Sequence, residues 1–196
     1  MRSLTTIGIV LGVLFLLFMG GCNNYNNFVD AEENVDEAWA NVQNQYQRRA
    51  ELIPNLVNTV KGAADFERET LEAVVSARAK ATSVNIDPSN LNAESLQNFQ
   101  AVQSQLSQSL GRLLLTVERY PELKATDAFR DFQTQLEGTE NRIAVARQDF
   151  NSIVTKYNKR VRRFPGSFFA SVFGFDEKAQ FEAQAGAEQA PEVSFD

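Results

Sequence analysis

The chain has 196 residues, 19 Lys and Arg against 25 Asp and Glu, a formal charge of -6 and no histidine. Beyond a short terminal segment that length leaves room for one ordinary domain, and the acidic balance opposes general nucleic-acid binding. Histidine-based triads and histidine-assisted zinc sites are excluded, and the single cysteine can build neither an internal disulfide nor a thiolate cluster.

The N-terminus carries Arg2, then an almost unbroken apolar run from Ile7 to Met19, closed by Gly20, Gly21 and Cys22. A basic residue, an apolar stretch of about a dozen residues and small residues before a possible cleavage point are what export machinery reads. Two anchors fit. Cleavage before Cys22 would leave a lipid-modified cysteine, and Met19-Gly20-Gly21-Cys22 resembles a bacterial lipobox with Met at its first position. Alternatively, Leu4 to Gly21 stays as a transmembrane helix of about 27 Å, just short of a hydrocarbon core of about 30 Å. Arg2 before the run and Asp30, Glu32, Glu33, Asp36 and Glu37 after it place the domain on the extracytoplasmic side in either case. Residues 1–21 are thus read as signal or anchor, and the asparagine-rich residues 22–27 as a short linker.

From Phe28 the helical period takes over. Val35, Trp39, Val42, Tyr46, Ile53, Leu56, Val60 and Ala63 recur in steps of three and four, with Arg49 the polar occupant of the stripe. Pro54 is read as a kink because the apolar phase continues through it, so the first helix is expected to run to Ser83, about 84 Å. Val84 to Asn90, containing Asp87-Pro88-Ser89-Asn90, has turn chemistry. A second helix is expected from about Ala93 to Arg119, ended by Tyr120-Pro121. Thr126 or Asp127 then caps a third, whose stripe runs Phe129, Phe132, Leu136, Thr139, Ile143, Ala146, Phe150, Ile153, Tyr157 and Val161. Pro165-Gly166 stops it before an aromatic piece, Ser167 to Phe175, expected to be ordered, while the acidic tail 176–196 is expected to be disordered. The fold class is all-α: an N-terminal membrane anchor followed by an elongated antiparallel up-and-down bundle, residues 28–175, of three long helices, or four if Pro54 reverses the chain.

The segment Gln47-Arg48-Arg49-Ala50-Glu51-Leu52-Ile53-Pro54-Asn55-Leu56-Val57-Asn58-Thr59-Val60-Lys61-Gly62 resembles the LemA family of bacterial envelope proteins. The resemblance continues at Tyr120 to Ala125, Glu140 to Ile143, Arg147 to Asn151, Tyr157-Asn158 and Phe164-Pro165, covering nearly the whole domain. It implies a helical domain anchored in a bacterial membrane and facing outward. It brings no catalytic residue set, cofactor or reaction to transfer.

Two groups of residues are candidate sites. Arg48, Arg49, Asn55 and Lys61 lie beside Pro54 and could meet Glu140 or Arg147 from the third helix. They would form either a notch that captures a peptide or lipid, or a buried polar seam that sets helix register, with Arg49 paired to a carboxylate. Arg160, Arg162 and Arg163 precede Phe168 and Phe169, which suits either a lipid-facing cluster or a basic helix end with an aromatic cap. In a three-helix path this cluster faces away from the anchor. If the chain reverses at Pro54, it faces the anchor membrane. The functional expectation is a non-catalytic, membrane-anchored helical scaffold that contacts lipid through its anchor and envelope proteins through its bundle. The alternative is a binding module built on the notch near Pro54. No metal, cofactor or nucleic-acid partner is expected.

Overall fold

The computed structural model describes the backbone of residues 2–61 and 66–182, and all their side chains except those of residues 2–20, 22 and 23. Every regular element among the described residues is helical: α1 (Arg2–Lys61), α2 (Arg68–Ser83), α3 (Ala93–Val117), α4 (Pro121–Lys124), α5 (Asp127–Arg162) and α6 (Gly166–Phe173), with a 3-10 turn at Pro88–Asn90. The all-α expectation holds. Local chemistry starts several of these elements: the Asn92 side chain accepts from Ser95 N–H at the head of α3, and Thr126 Oγ1 accepts from Phe129 N–H at the head of α5.

The expected long first helix is two helices. Pro54 lies inside α1, while the chain reverses between Lys61 and Arg68. The reversal follows from the contacts: Arg78 Nε donates to Ala50 O (2.8 Å) and Trp39 Nε1 to Ile86 O (3.0 Å), so residue numbers rise along one strand of chain as they fall along the other. Gln103 to Ala81 (3.3 Å) and Arg119 to Glu67 (2.7 Å) pair α3 antiparallel to α2. Arg49 to Glu140 (2.9 Å) and Arg160 to Asn27 (2.7 Å) pair α5 antiparallel to α1. The path is up, down, up, down, and α5 ends beside the start of the bundle. The sequence sign of the reversal is Lys61-Gly62, a basic last-turn residue followed by glycine. Ala63, which keeps the stripe in phase, obscures it.

Two apolar clusters fill the interior. One holds Ile53, Leu56, Val60, Val74, Leu106, Leu113 and Phe129; the other holds Val35, Trp39, Val42, Tyr46, Phe99, Ile143, Phe150, Val154 and Tyr157. They meet at the level of Arg49, Gln103 and Thr139, all buried.

Two boundaries differ from expectation at the ends. Residues 22–27 are not a linker but part of α1, since no glycine or proline among them opposes the helix begun upstream. Nor is the tail loose from Asp176: residues 176–182 lie on the bundle, and Phe181 is buried against Trp39 and Phe150 with ring centroids 6.1 and 5.5 Å away. Two asparagines of α5 clip this strap. Asn151 Nδ2 donates to Phe181 O (2.8 Å) and its Oδ1 accepts from Phe181 N–H (2.9 Å). Asn158 does the same to Lys178 at 2.8 and 2.9 Å. The spacing is commensurate: seven helical residues rise about 10.5 Å, and three extended residues span about 10 Å. The remainder of the tail, 183–196, lies outside the described residues.

Two glycines give opposite expectations. A Cβ on Gly166 would stand 2.6 Å from Arg160 O and 3.5 Å from Phe28 Cζ, and the backbone oxygen cannot yield, so Gly166→Ala unseats α6 and lowers the melting temperature by several degrees. Gly111, within α3, has no atom within 4 Å of a built Cβ, so Gly111→Ala stabilises by roughly 0.5–1 kcal/mol in urea unfolding.

Candidate functional site

Arg49 stands on the apolar face of α1 and is only 2% exposed. Burial of a guanidinium is costly unless its charge and its donors are met; here the charge and both terminal nitrogens are met from two other helices, while Nε is buried without a hydrogen-bond partner. Nη1 donates to Glu140 Oε1 of α5 and to Ser107 Oγ of α3, both at 2.9 Å, and Nη2 donates to Gln103 Oε1 at 2.6 Å and Gln103 O at 3.2 Å. Gln103 Nε2 in turn donates to Ala81 O in the last turn of α2. One cation thus ties α1 to α3 and α5 directly and to α2 through one amide. The Tyr46 ring lies under the guanidinium, 5.1 Å from its carbon. Burial pushes the Tyr46 phenol above its ordinary value, against the opposing pull of Arg147 and Arg49.

Of the residues expected to gather near Pro54, the structure brings together Arg49, Glu140 and Arg147. They line an open cleft of about 610 Å³ with Tyr46, Gln103 and Ser107, more than a helical turn before Pro54. Arg48, Asn55 and Lys61 are exposed and take no part in it, because they lie off the buried stripe of α1. The expected notch at Pro54 is therefore displaced to the Arg49 layer. Arg147 lies over the Phe181 ring at 4.5 Å and so belongs to the strap contact as well. Gln103 and Ser107, which no sequence reading singled out, complete the set. The sequence sign of Gln103 is its spacing, four residues after Phe99 and three before Leu106, both buried in α3.

Nearer the start of the bundle, Lys178 of the strap reaches Glu32 at 2.8 Å. Asp36 lies beside this pair with one carboxylate oxygen buried and unpartnered. Desolvation, then Glu32, Asp87 and Glu33, raise its pKa, and Lys178 alone opposes them. The buried Tyr157 hydroxyl has no hydrogen-bond partner, and burial raises its pKa strongly, with Glu32, Asp176 and Asp36 adding to the shift. Among the described residues no group of acidic or sulfur side chains is arranged to hold a metal ion.

The second candidate group sits at the base of the bundle. Arg160 Nη1 donates to Asn27 O at 2.7 Å, Arg162 stands 3.7 Å from Glu177, and Arg163 is exposed. Phe169 turns inward toward Gly21, whose built Cβ would be 3.6 Å from its ring, whereas Phe168 points outward at 62% exposure. Ala170 is buried, and Phe173 and Phe175 contact Tyr25 at 5.2 and 5.8 Å, Phe175 also stacking on Phe28 at 5.0 Å. The cluster lies at the N-terminal end of the bundle, beside the end of the apolar run, as a reversal in the first segment requires, although that reversal is not at Pro54. Cys22, the candidate lipidation residue, lies within the α1 backbone, and its side chain is outside those described, as are those of the apolar run Ile7 to Met19. Among the described residues no helix is long and apolar enough to cross a membrane.

Two measurements check these assignments. Arg49→Ala opens a cavity and strands Gln103, lowering stability by about 3 kcal/mol in urea unfolding. Glu140→Ala costs a comparable amount because it leaves a buried cation unpaired, but less than about 1 kcal/mol in an Arg49→Met background, where no charge remains to strand. For Asp36 the sign is fixed by its raised pKa: the ionised carboxylate opposes folding at neutral pH, and the cost disappears as pH falls through the folded-state value. Asp36→Asn therefore raises the melting temperature at pH 7, with the gain shrinking on acidification and vanishing below about pH 4, where the unfolded carboxyl is also protonated.

Residues 38–195 match the sequence pattern of the LemA family. The chain is similar to magnetosome protein MamQ 2 of Paramagnetospirillum magneticum, 25% identical over 198 residues that cover 92% of this chain and 72% of that protein. It is similar also to protein LemA of Metamycoplasma hominis, 22% identical over 175 residues, 89% of this chain and 75% of the relative. Magnetosome protein MamQ of Magnetospirillum gryphiswaldense is 26% identical over 204 residues, 95% of this chain and 73% of that protein. The family match takes in the part of α1 that carries Arg49, all of α2, α3 and α5, and the strap that closes the core, and on that extent the chain belongs to the LemA family.

Proposed function

We propose that this protein is a non-catalytic, membrane-anchored scaffold whose helical bundle stands on the extracytoplasmic face of a bacterial membrane and presents its sides to envelope proteins. The observation that carries the reading is the continuity of α1, one helix from Arg2 to Lys61. The apolar run and the first helix of the bundle share an axis, so the bundle takes its direction from the anchor. From Gly21 to Lys61 that helix rises about 60 Å. Helical backbone through residues 22–27 and the packing of Gly21 on Phe169 support a retained helix as the anchor rather than a lipid on Cys22. The relatives called magnetosome proteins fit an envelope role of this kind.

The binding-module alternative has the Arg49 cleft in its favour, but the guanidinium at its floor already makes four hydrogen bonds to protein. That engagement supports a register-setting role over capture of a ligand.

Carbonate-washed membranes and intact mass test the anchor. The expected result is an unprocessed chain resistant to extraction, its bundle digested by protease added to the extracytoplasmic side. A mass lacking residues 1–21 with a lipid on Cys22 would replace the helix anchor, and a protected bundle would overturn the orientation. Native mass spectrometry of the detergent-extracted protein separates scaffold from module. The scaffold retains protein partners, whereas a small molecule lost on Arg147→Ala would favour the module.

A further inference from the structure

Among the described residues most of the exposed large apolar side chains stand at one end, although Val75, Leu115 and Val145 are exposed elsewhere. Phe168 and Val172, at 62% and 61% exposure, fall four residues apart on α6 and share one face, and Phe164, 87% exposed, stands in the turn just before the helix. The opposite face of α6 is engaged: Ala170 is buried and Phe169 and Phe173 stack at 6.2 Å against the start of α1. The fold therefore seats α6 through one face and leaves Phe168 and Val172 exposed on the other, with Phe164 exposed in the adjoining turn. Four exposed cations stand at the end of α5 just before it, Lys159, Arg160, Arg162 and Arg163, of which Arg162 shares Glu177. Arg160 and Arg163 converge with Asn24, Asn27, Phe28 and Phe164 on a cleft of about 310 Å³ at the junction of α1, α5 and α6.

Position identifies the occupant. Gly21 and Tyr25, which contact Phe169 and Phe173, lie two and six residues beyond Met19, the end of the apolar run. Along a helix those offsets are about 3 and 9 Å, within the headgroup layer that borders a hydrocarbon core. Aromatic rings favour that layer, and clustered arginines there meet lipid phosphates.

We propose that α6 is an interfacial helix that inserts Phe164, Phe168 and Val172 into the anchor's own membrane, while Arg160 and Arg163 hold the phosphates of anionic lipids at the adjoining cleft. The contact is a second attachment beside α1, and it makes the seating of the bundle sensitive to the anionic fraction of the bilayer. It deepens the scaffold reading and rests on α1 as the anchor.

The test uses the full chain reconstituted into phosphatidylcholine vesicles with brominated acyl chains, with and without phosphatidylglycerol. Phe168→Trp reports α6 and Leu11→Trp reports the anchor. The native Trp39, fully buried, supplies the background to subtract and shows that the fold is kept. The expected result is bromine quenching of both added tryptophans, with that of Trp at 168 increasing with phosphatidylglycerol and the increase lost on Arg160→Gln/Arg163→Glu. Quenching at 11 without quenching at 168 overturns the proposal and leaves the anchor standing, as does a self-associated protein whose residue-168 probe is shielded from lipid. Quenching at neither position sinks both readings, and quenching at 168 alone removes the α1 anchor and with it a second attachment beside that anchor.

Discussion

A single buried guanidinium, the one charged group among the buried side chains of the described residues, determines how this bundle is assembled. Arg49 separates two apolar clusters, and each of its bonds is to a different element or to a residue that reaches one: Glu140 in α5, Ser107 and Gln103 in α3, and Ala81 of α2 through Gln103. Apolar stripes spaced three and four apart tolerate sliding by a turn, because leucine on leucine is much the same after the shift. A buried charge does not, since displacement by one turn would leave it without its carboxylate and its amide. Glu140 is 44% exposed, so the pair keeps one end in water and its desolvation cost is less than that of a fully enclosed ion pair.

The same fixed register sets the base of the molecule. With α5 antiparallel to α1 and in register at Arg49, its last turn arrives at Asn27, and the Pro165-Gly166 corner folds α6 against the first turns beyond the apolar run. The close approach of Gly166 to Arg160 O leaves no room for a side chain there. The strap then runs back up the groove, clipped at Asn158 and Asn151, and closes the core with Phe181. The aromatic base beside the N-terminal apolar run and the strap are thus consecutive results of one helix pairing.

Much of this is legible in the residue pattern. The period of α5 and its Thr126 cap, the end of α3 before Tyr120-Pro121 and the partnership of Arg49 with a carboxylate all follow from spacing and from the cost of burying charge. The reversal after Lys61 does not, because Ala63 continues the stripe in phase and the hydrophobic period carries no direction of travel. The strap is hidden for a different reason. Residues 176–182 are polar enough to read as solvated, and what holds them is the amide groups of Asn151 and Asn158, which lie seven residues apart on another element. Arg48, Asn55 and Lys61 look like companions of Arg49 by proximity in the chain, yet helical geometry turns them to solvent.

The sequence by itself determined the fold class, the apolar run with its charge asymmetry, and the exclusion of histidine chemistry, since these depend on residue identity and local period alone. Only the tertiary structure decided that four helices rather than three stand side by side, that Gln103 and Ser107 complete the Arg49 layer, and that the arginines ending α5 and the phenylalanines after it lie beside the N-terminal apolar run. Those outcomes depend on which faces meet across tens of residues, and a stripe records only that a face is buried, not what it is buried against.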